Sequence, residues 1–563
     1  MRRSIHLGIA SIFIFFFFFI QKPVNAQEGS YWRSKLYPKS WQPGYKDKEG
    51  RFLHDFSYAG YYMGEKEIPV SHSGIQVNVT ADPFGADNTG IKNATFAIQK
   101  AINHVGSQGG GIVFLPEGTY RIRPPSGQSQ ALHIRSNRVV LRGAGKNRTF
   151  LFNDEWKMRK KKIVLVSKPG SWLIPAGESV RITEDLDRPT HRVPVADISN
   201  FKKDDWIVLR ADVTRAFLED HGMNTLWSSA EQKGMLLLRR ITKVDTIANV
   251  LTIDIPTRYF LLQKYQAHVY KVRPHIQEVG IENLSIGMKE HPGSGFQDDD
   301  WDEADTGAYE VHDSSIIYIQ NAINCWVQNV NTFRPKENSH DWHVLSHGIK
   351  INMSRNITIR NCDLRNPQYR GGGGNGYLYI LAGSDCLIQD CSAVNGRHNY
   401  SIKRMWATGN VIHCCISENG RLPSDFHMYL SVANLFDNVT VDKDWLEARY
   451  RLGGIDNLFE QRVHGHTTTQ SVFWNTLGKD YHPHSKSVII DSRQFGWGYV
   501  IGTRGKCYEV TLKPRILKLW LTDLIFGKDA TPLDYVEGIG KGDTLLPMSL
   551  YEDQLQRRLR MTN

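Results

Sequence analysis

Between residues 310 and 440 the chain repeats itself, and that repeat limits what it can fold into. Five rows set it out: Asn324-Cys325-Trp326-Val327-Gln328-Asn329-Val330, Arg355-Asn356-Ile357-Thr358-Ile359-Arg360-Asn361, Asp385-Cys386-Leu387-Ile388-Gln389-Asp390-Cys391, Gly409-Asn410-Val411-Ile412-His413-Cys414-Cys415 and Ala433-Asn434-Leu435-Phe436-Asp437-Asn438-Val439. Each is a short strand with alternating apolar positions, entered through Asn, Gly or Asp turn chemistry. The row ends Cys391, Cys415 and Val439 are evenly spaced, and the earlier rows carry insertions. Self-similarity at this period marks a solenoid, each coil burying its apolar face on the next. Short strands with no helical period between them predict a β-solenoid, which also accommodates 563 residues without one oversized core. A stacked column Cys362–Cys391–Cys415 is expected, with Cys362 one residue beyond its aligned row, so register stays open there.

The N-terminus sets the compartment. Arg2 and Arg3 precede an apolar run from Leu7 to Ile20, followed by Val24-Asn25-Ala26 with small residues at a cleavage position. Residues 1–26 read as a secretory signal peptide, and the protein is expected to be periplasmic or secreted. No later segment is apolar for long enough to span a membrane. The formal charge is +11, and the leader takes three cations and no acid with it, leaving +8. Such a charge favours an acidic partner. Export argues against nucleic acid, which leaves an anionic polysaccharide, bound by a protein expected to be a monomer. Seven cysteines, six of them inside the repeat, suit buried thiols better than a disulfide framework or a zinc site.

Upstream, Asp82-Pro83-Phe84-Gly85-Ala86-Asp87-Asn88-Thr89-Gly90 runs into Asn93-Ala94-Thr95-Phe96-Ala97-Ile98-Gln99-Lys100-Ala101-Ile102. Gly109-Gly110-Gly111-Ile112-Val113-Phe114-Leu115-Pro116-Glu117-Gly118-Thr119-Tyr120 follows. These residues resemble the opening of the pectate-lyase-like superfamily. The resemblance implies an all-β, right-handed parallel β-helix whose first coil is capped by a helix from Asn93 to His104. Asp82 and Asp87 belong to that structural opening rather than to chemistry. The expected organisation is an extended arm over 27–78, the start of the β-helix over 79–149, an inserted β subdomain over 150–275, the main coils over 276–510 and a C-terminal cap over 511–563, its short helix covering the far end.

Carrying the rows back to the preceding strand puts Tyr318, Ile349, Tyr379, Lys403 and His427 in one column. Ser401 and Asp425 fall two residues earlier, beneath Tyr377. Leu378, Ile402 and Phe426 then point inward, and Tyr379, Lys403 and His427 form an outward trio. Around them lie Arg397, His398, Arg404, Arg449, Arg451, His464 and His466, with Trp406 as a candidate sugar platform. Guanidinium groups grip carboxylates and rings stack on sugar faces. The acidic run Asp298 to Asp305 makes Ca²⁺ a candidate cofactor, though it lacks calcium-loop spacing and reads better as a solvated loop. No cofactor is certain.

The reading that follows is an exported polysaccharide lyase acting on a uronic-acid polymer by β-elimination. Arg397 and His398, with Arg404 or Arg449 as alternates, would neutralise the uronate carboxyl. Lys403 or His427 would be the base, and Tyr379 the acid. Arg451, His464, His466, Tyr377 and Trp406 complete the binding set. A glycoside hydrolase needs two carboxylic acids on the groove, and Asp425 is the only one on this face, with Glu310 and Asp313 nearest. A non-catalytic carbohydrate-binding solenoid is the third reading.

Overall fold

The computed structural model describes residues 30–562, apart from 71–73, 224–226, 274, 452–463, 486 and 513–531. The signal-peptide reading of residues 1–26 lies outside the described residues.

The body is a parallel β-helix. One face is a ladder of ten strands: Gln130–Ile134, Lys162–Ser167, Ser315–Gln320, His347–Arg355, Tyr377–Ser384, His398–Lys403, Ser424–Met428, Leu446–Arg449, Ile490–Arg493 and Val510–Thr511. Each pairs in parallel with the next. A second ladder stacks the repeat rows, with Val327, Ile359, Ile388, Ile412, Phe436, Phe473 and Val500 in one register column. All seven are buried in the shared core. An isolated strand pair could not hold this geometry; the stack holds because every coil satisfies the backbone of the coil before it.

The turn chemistry of the rows has a backbone cause. Asn324, Asn356, Asp385, Gly409 and Ala433 open their rows with φ between 50° and 68°, in the left-handed region. Asn and Asp tolerate that region best among residues with side chains, and Gly adopts it freely. Asn410 then donates from Nδ2 to Asn434 Oδ1 at 2.8 Å, so the corner residues also bond up the stack. This corner column corrects the second row, which begins at Asn356 rather than Arg355: Thr358 pairs with Trp326 and with Leu387. The shift brings Cys362 into line with Cys391 and Cys415. The Cys362 N–H lies 3.5 Å from Cys391 Sγ, and all seven thiols are free.

The helix Thr95–Ser107 buries Ile98, Ala101, Ile102 and Val105 against the first coils. Asp87 accepts from the Thr89 N–H and Oγ1, holding the turn into the first coil. The inserted sheet begins later than the sequence suggested. Thr149–Asn153 and Lys162–Ser167 are coil strands, whereas Val180–Arg181, Arg192–Pro194, Trp206–Ala211, Met235–Asp245, Val250–Ile253 and His268–Lys271 form a separate six-stranded antiparallel sheet. Buried ion pairs fasten it to the coils: Arg258 to Asp385 at 2.9 Å and Asp254 to Arg355 at 2.6 Å.

On the outside of the second ladder, Leu387, Val411, Leu435, Val472 and Tyr499 make an apolar stripe. The N-terminal arm covers it with Leu36, Tyr37, Trp41 and Phe56, and the helix Leu550–Thr562 adds Leu550 and Tyr551. Tyr551 Oη donates to Ala59 O and Gln554 Nε2 to His54 O, so arm and helix seal the stripe together. That helix therefore lies along the side of the middle coils, not over the far end. Among the described residues no helix is long and apolar enough to cross a membrane.

Candidate active site

The ten-strand ladder carries one outward column: Tyr318, Lys350, Ile380, Ser401, Asp425, Glu447 and Asp491. Polar character concentrates at its middle. Asp425 is fully buried, and its Oδ1 accepts from Ser401 Oγ at 2.7 Å. Its Oδ2 meets Arg451 Nη2 at 2.8 Å, His427 Nδ1 at 2.9 Å and His398 Nδ1 at 3.2 Å. Arg451 also holds Glu447 at 2.7 Å, and Arg449 bridges Glu447 and Asp491 at 3.4 and 3.1 Å. Asp425 is thus not the only carboxylate on this face. Glu447 and Asp491 continue its column, and they escaped the sequence reading because their strands follow the five aligned rows. All three are clasped by arginine.

Beside this column sits a wall of rings. Tyr377 and His398 open their strands as register partners, with ring centroids 4.7 Å apart. Tyr377 Oη lies 3.3 Å from His427 Nε2. The His427 ring is 5.2 Å from His398 and 4.9 Å from His464. A bulge breaks the expected Lys403–His427 pairing: Ile402 pairs with Phe426, then Lys403 with Met428, leaving His427 as the extra residue, on which the Lys403 charge still acts. Lys403 Nζ rests 3.8 Å from the centre of the Tyr377 ring. One coil earlier, the Tyr377 N–H donates to His347 Nδ1, which leaves His347 Nε2–H for Asp313 at 3.3 Å. Lys350 pairs with the same Asp313.

Burial sets the protonation of this cluster. It holds the Lys403 ammonium well below its usual range, with Lys350 and Arg404 adding to the effect and Asp425 opposing it. It likewise holds the His427 imidazole well below 6.5, helped by Lys403, Arg451 and His464. His398 is lowered in the same way, and His347 and His464 fall to about 4, burial being the main cause throughout. Burial pushes the Tyr377 hydroxyl up. His398 Nδ1 faces two acceptors, Pro423 O at 2.6 Å and Asp425, so it carries the proton; its buried Nε2 has no partner. At neutral pH the imidazoles of the site are therefore neutral, around a lysine whose charged form burial disfavours, beside a protonated phenol.

Among the described residues, one set of His, Cys, Asp or Glu converges closely enough to hold a metal: His398, Asp425 and His427. The donors do not fit a divalent cation. Arg451 already donates to Asp425 Oδ2 and lies 2.9 Å from His427 Nδ1, so a guanidinium stands where the cation would. Nor does the acidic run form a Ca²⁺ cage. Asp298 is paired with Arg421, and Asp300 Oδ2 accepts from the Gln297 N–H.

The structure brings together Tyr377, His398, Lys403, His427, Arg451 and His464, with Arg397 at the edge of the group. It removes three residues from it. Tyr379 faces the core, stacked on Tyr400 at 5.0 Å, its hydroxyl bonded to Cys362 O and Ser392 O. Trp406 is buried against Trp172, Leu236, Leu238 and Tyr270 and donates to Ala382 O, so it is a packing residue. His466 is buried where the insert meets the coils, 3.1 Å from His221 O and 4.6 Å from the Phe495 ring. Arg449 is held within the carboxylate column. Arg404 stays half-exposed at a left-handed corner, its guanidinium 5.9 Å from the Trp406 and Tyr429 rings. Glu310 is engaged by His291 at 2.6 Å and Lys157 at 3.0 Å.

Comparison with known proteins gives one family and a set of folds. No curated protein matches the chain in sequence. Among solved structures, the Gp54 tailspike of Acinetobacter baumannii bacteriophage AP22, in complex with a capsular saccharide, is similar at 10% identity. The alignment covers 83% of this chain and 67% of that one, with a TM-score of 0.39. A mutant tailspike of E. coli bacteriophage HK620 with a bound pentasaccharide gives 9%, 82%, 65% and 0.41. The A-module of the Azotobacter vinelandii mannuronan C-5 epimerase AlgE4 gives 11%, 82%, 96% and 0.34. This chain spans about two thirds of the length of either tailspike. Residues 76–167 match the family described as rhamnogalacturonase A/epimerase, pectate lyase-like. The opening coils are thus similar to a pectate-lyase-like family, and the body of the chain is a right-handed parallel β-helix.

Proposed function

We propose that this protein processes polysaccharides outside the cytoplasm, as a lyase that cleaves a uronic-acid-containing chain by β-elimination. The observation that carries the reading is the placement of Lys403: a half-buried amine 3.8 Å above Tyr377, among neutral imidazoles, on a face whose carboxylates are clasped by arginine. Elimination requires the uronate carboxyl to be neutralised, the C5 proton removed and the departing O4 protonated. Arg397 and Arg404 supply the cations, since their charges reach the His427 and Lys403 positions. The free amine of Lys403 takes the C5 proton. The electron pair forms the C4–C5 double bond, the C4–O4 bond breaks, and the new ammonium returns its proton to O4. No separate acid is needed, which suits Tyr379 lying in the core. Tyr377 and His427 position the amine.

A hydrolase reading draws on the Asp425–Glu447–Asp491 column. It meets a physical obstacle, because these residues are buried and bonded to Arg451 and Arg449 rather than turned to a glycosidic oxygen. The test is to offer the protein a panel of uronic-acid polymers and follow both the conjugated-enol absorbance and new reducing ends. Elimination gives both signals together. Reducing ends without the absorbance mean hydrolysis, and binding with neither means a carbohydrate-binding solenoid.

A further inference from the structure

Beside the ring wall, on the corner of the same coils, lies an open cleft of about 420 Å³ lined by Phe296, Gln297, Asp298, Gln368, Arg370, Gly371 and Arg421. Three successive coils contribute an arginine each to this corner. Arg370 Nη1 donates to Asn395 O, Arg397 Nη1 to Gly371 O, and Arg421 Nη1 to Arg370 O. Backbone bonds tie the corner to the site: the Arg421 N–H reaches Gly396 O, and the Leu422 N–H reaches Arg397 O. Arg397 stands between the two regions, its charge acting on His398, His427 and Tyr377 on one side and on Asp298 on the other.

The cleft already holds a carboxylate. Asp298 places its two oxygens 2.6 and 2.8 Å from the Nη1 and Nη2 of Arg421, the fork geometry with which guanidinium takes a carboxylate. Both side chains remain about half exposed, at 43% and 55%, so the pair is screened by water and exchangeable. The loop bearing Asp298 is held instead by its backbone, where Asp298 O accepts from Gly372 N–H and Tyr369 Oη. Phe296, partly buried, supplies an apolar surface in the same cleft.

We propose that this cleft is a second sugar subsite, in which a uronate residue several units from the cleaved bond presents its carboxylate to Arg421 in place of Asp298 and lays its ring on Phe296. The proposal rests on the reading of the substrate as a uronic-acid chain. Asp298 is then an occupant that a polyanion displaces and a neutral glycan does not.

The experiment measures calorimetric affinity of the full chain for galacturonate and mannuronate oligomers, as disaccharide and as hexasaccharide, in wild type, Arg421→Gln and Asp298→Asn, with thermal unfolding as the folding control. Arg421→Gln is expected to weaken hexasaccharide binding about tenfold, the scale of one charge-assisted contact, while disaccharide binding stays as in wild type. Asp298→Asn is expected to tighten hexasaccharide binding several-fold, because the resident carboxylate is gone. Unchanged hexasaccharide affinity in Arg421→Gln, equal losses at both lengths, or weaker binding in Asp298→Asn overturns the subsite. Cleavage with unaltered affinities sinks the subsite alone. Length-selective affinity losses without any enol chromophore sink the elimination chemistry alone.

Discussion

Lys403 lies over the face of Tyr377, 3.8 Å from the ring centre, although the two do not share a column of the ladder. The ring shields the amine from water on one side. If Lys403 is the base, Lys403→Ala is expected to lower kcat at least ~10²-fold, the lower scale for losing a general base, with thermal unfolding little changed. Lys403→Arg is the sharper variant. It keeps a basic side chain over Tyr377 but stays protonated, so it should be as inactive as the alanine. Substantial activity in the arginine variant would assign Lys403 to carboxyl binding and move the base to His427.

The two tyrosines separate site from core. Tyr377→Phe keeps the ring beneath Lys403 and removes only the hydroxyl at 3.3 Å from His427. Its activity should drop and shift in pH profile, with stability nearly intact. Tyr379→Phe removes a hydroxyl shared by Cys362 O and Ser392 O in the core. That variant should lose about 1–3 kcal/mol of stability, the penalty for buried groups left unpaired, and keep its kcat. The reverse pattern would mean that the face inverts.

The misplaced Tyr379 shows what a sequence carries. Register was legible for four of the five repeat rows because they open on residues suited to left-handed backbone, and those residues stack; the second row, opened at Arg355, was one residue early. Register of the preceding strand was not, because corner length varies between coils. Ile380 and Ser401 are partners, yet Leu387 pairs with Val411, so the Arg404–Ala407 corner carries three residues that its neighbour lacks. Counting backward from the rows therefore displaced Tyr379 onto the outer face. Ser401 and Asp425 keep the expected register because the following coil has the same corner length, and the bulge at His427 then moves Lys403 onto Met428. Glu447 and Asp491 come after the last aligned row and had no register signal. Trp406 and His466 are covered by the inserted sheet, whose docking no local pattern announces.

Salt dependence tests the partner. With a formal charge of +11 on the chain, affinity for an acidic polysaccharide should fall steadily between low and physiological ionic strength, as screening shortens the reach of the surface cations. Neutral glucans bound equally well, with no response to salt, would contradict an anionic substrate.

Acid should draw down the stability that the buried histidines contribute. His221 and His347 are buried, and burial lowers each to about 4 from the ordinary 6.5. Below 6.5 the unfolded chain takes up protons that the native state refuses. The stabilisation these groups contribute is thus complete above 6.5 and is lost as pH falls toward about 4. Chemical denaturation across that window should show stability dropping by several kcal/mol, with an onset near the pKa of free histidine. His347→Gln should flatten part of the slope. A flat profile down to about 4, followed by a fall where carboxylates titrate, would mean the histidines are hydrated.

Phe426 and His427 are consecutive residues expected to fail in opposite ways. Phe426 is wholly buried, its ring 5.5 Å from Phe436 and 5.9 Å from Phe473, which are register partners on the second ladder. Phe426→Ala leaves a cavity in a stack that cannot collapse along its axis without breaking register, so it should cost about 3–5 kcal/mol. Molecules that remain folded should turn over at the wild-type rate. His427 faces the groove, and His427→Ala removes one bond to Asp425 while Ser401 and Arg451 still hold that carboxylate. The loss of stability should be nearer 1 kcal/mol, the net worth of a single hydrogen bond, with kcat down at least ~10²-fold. Urea unfolding paired with turnover of the folded fraction measures both. An unstable His427→Ala beside a stable, inactive Phe426→Ala would place the ladder one residue out of register and turn the proposed site inward.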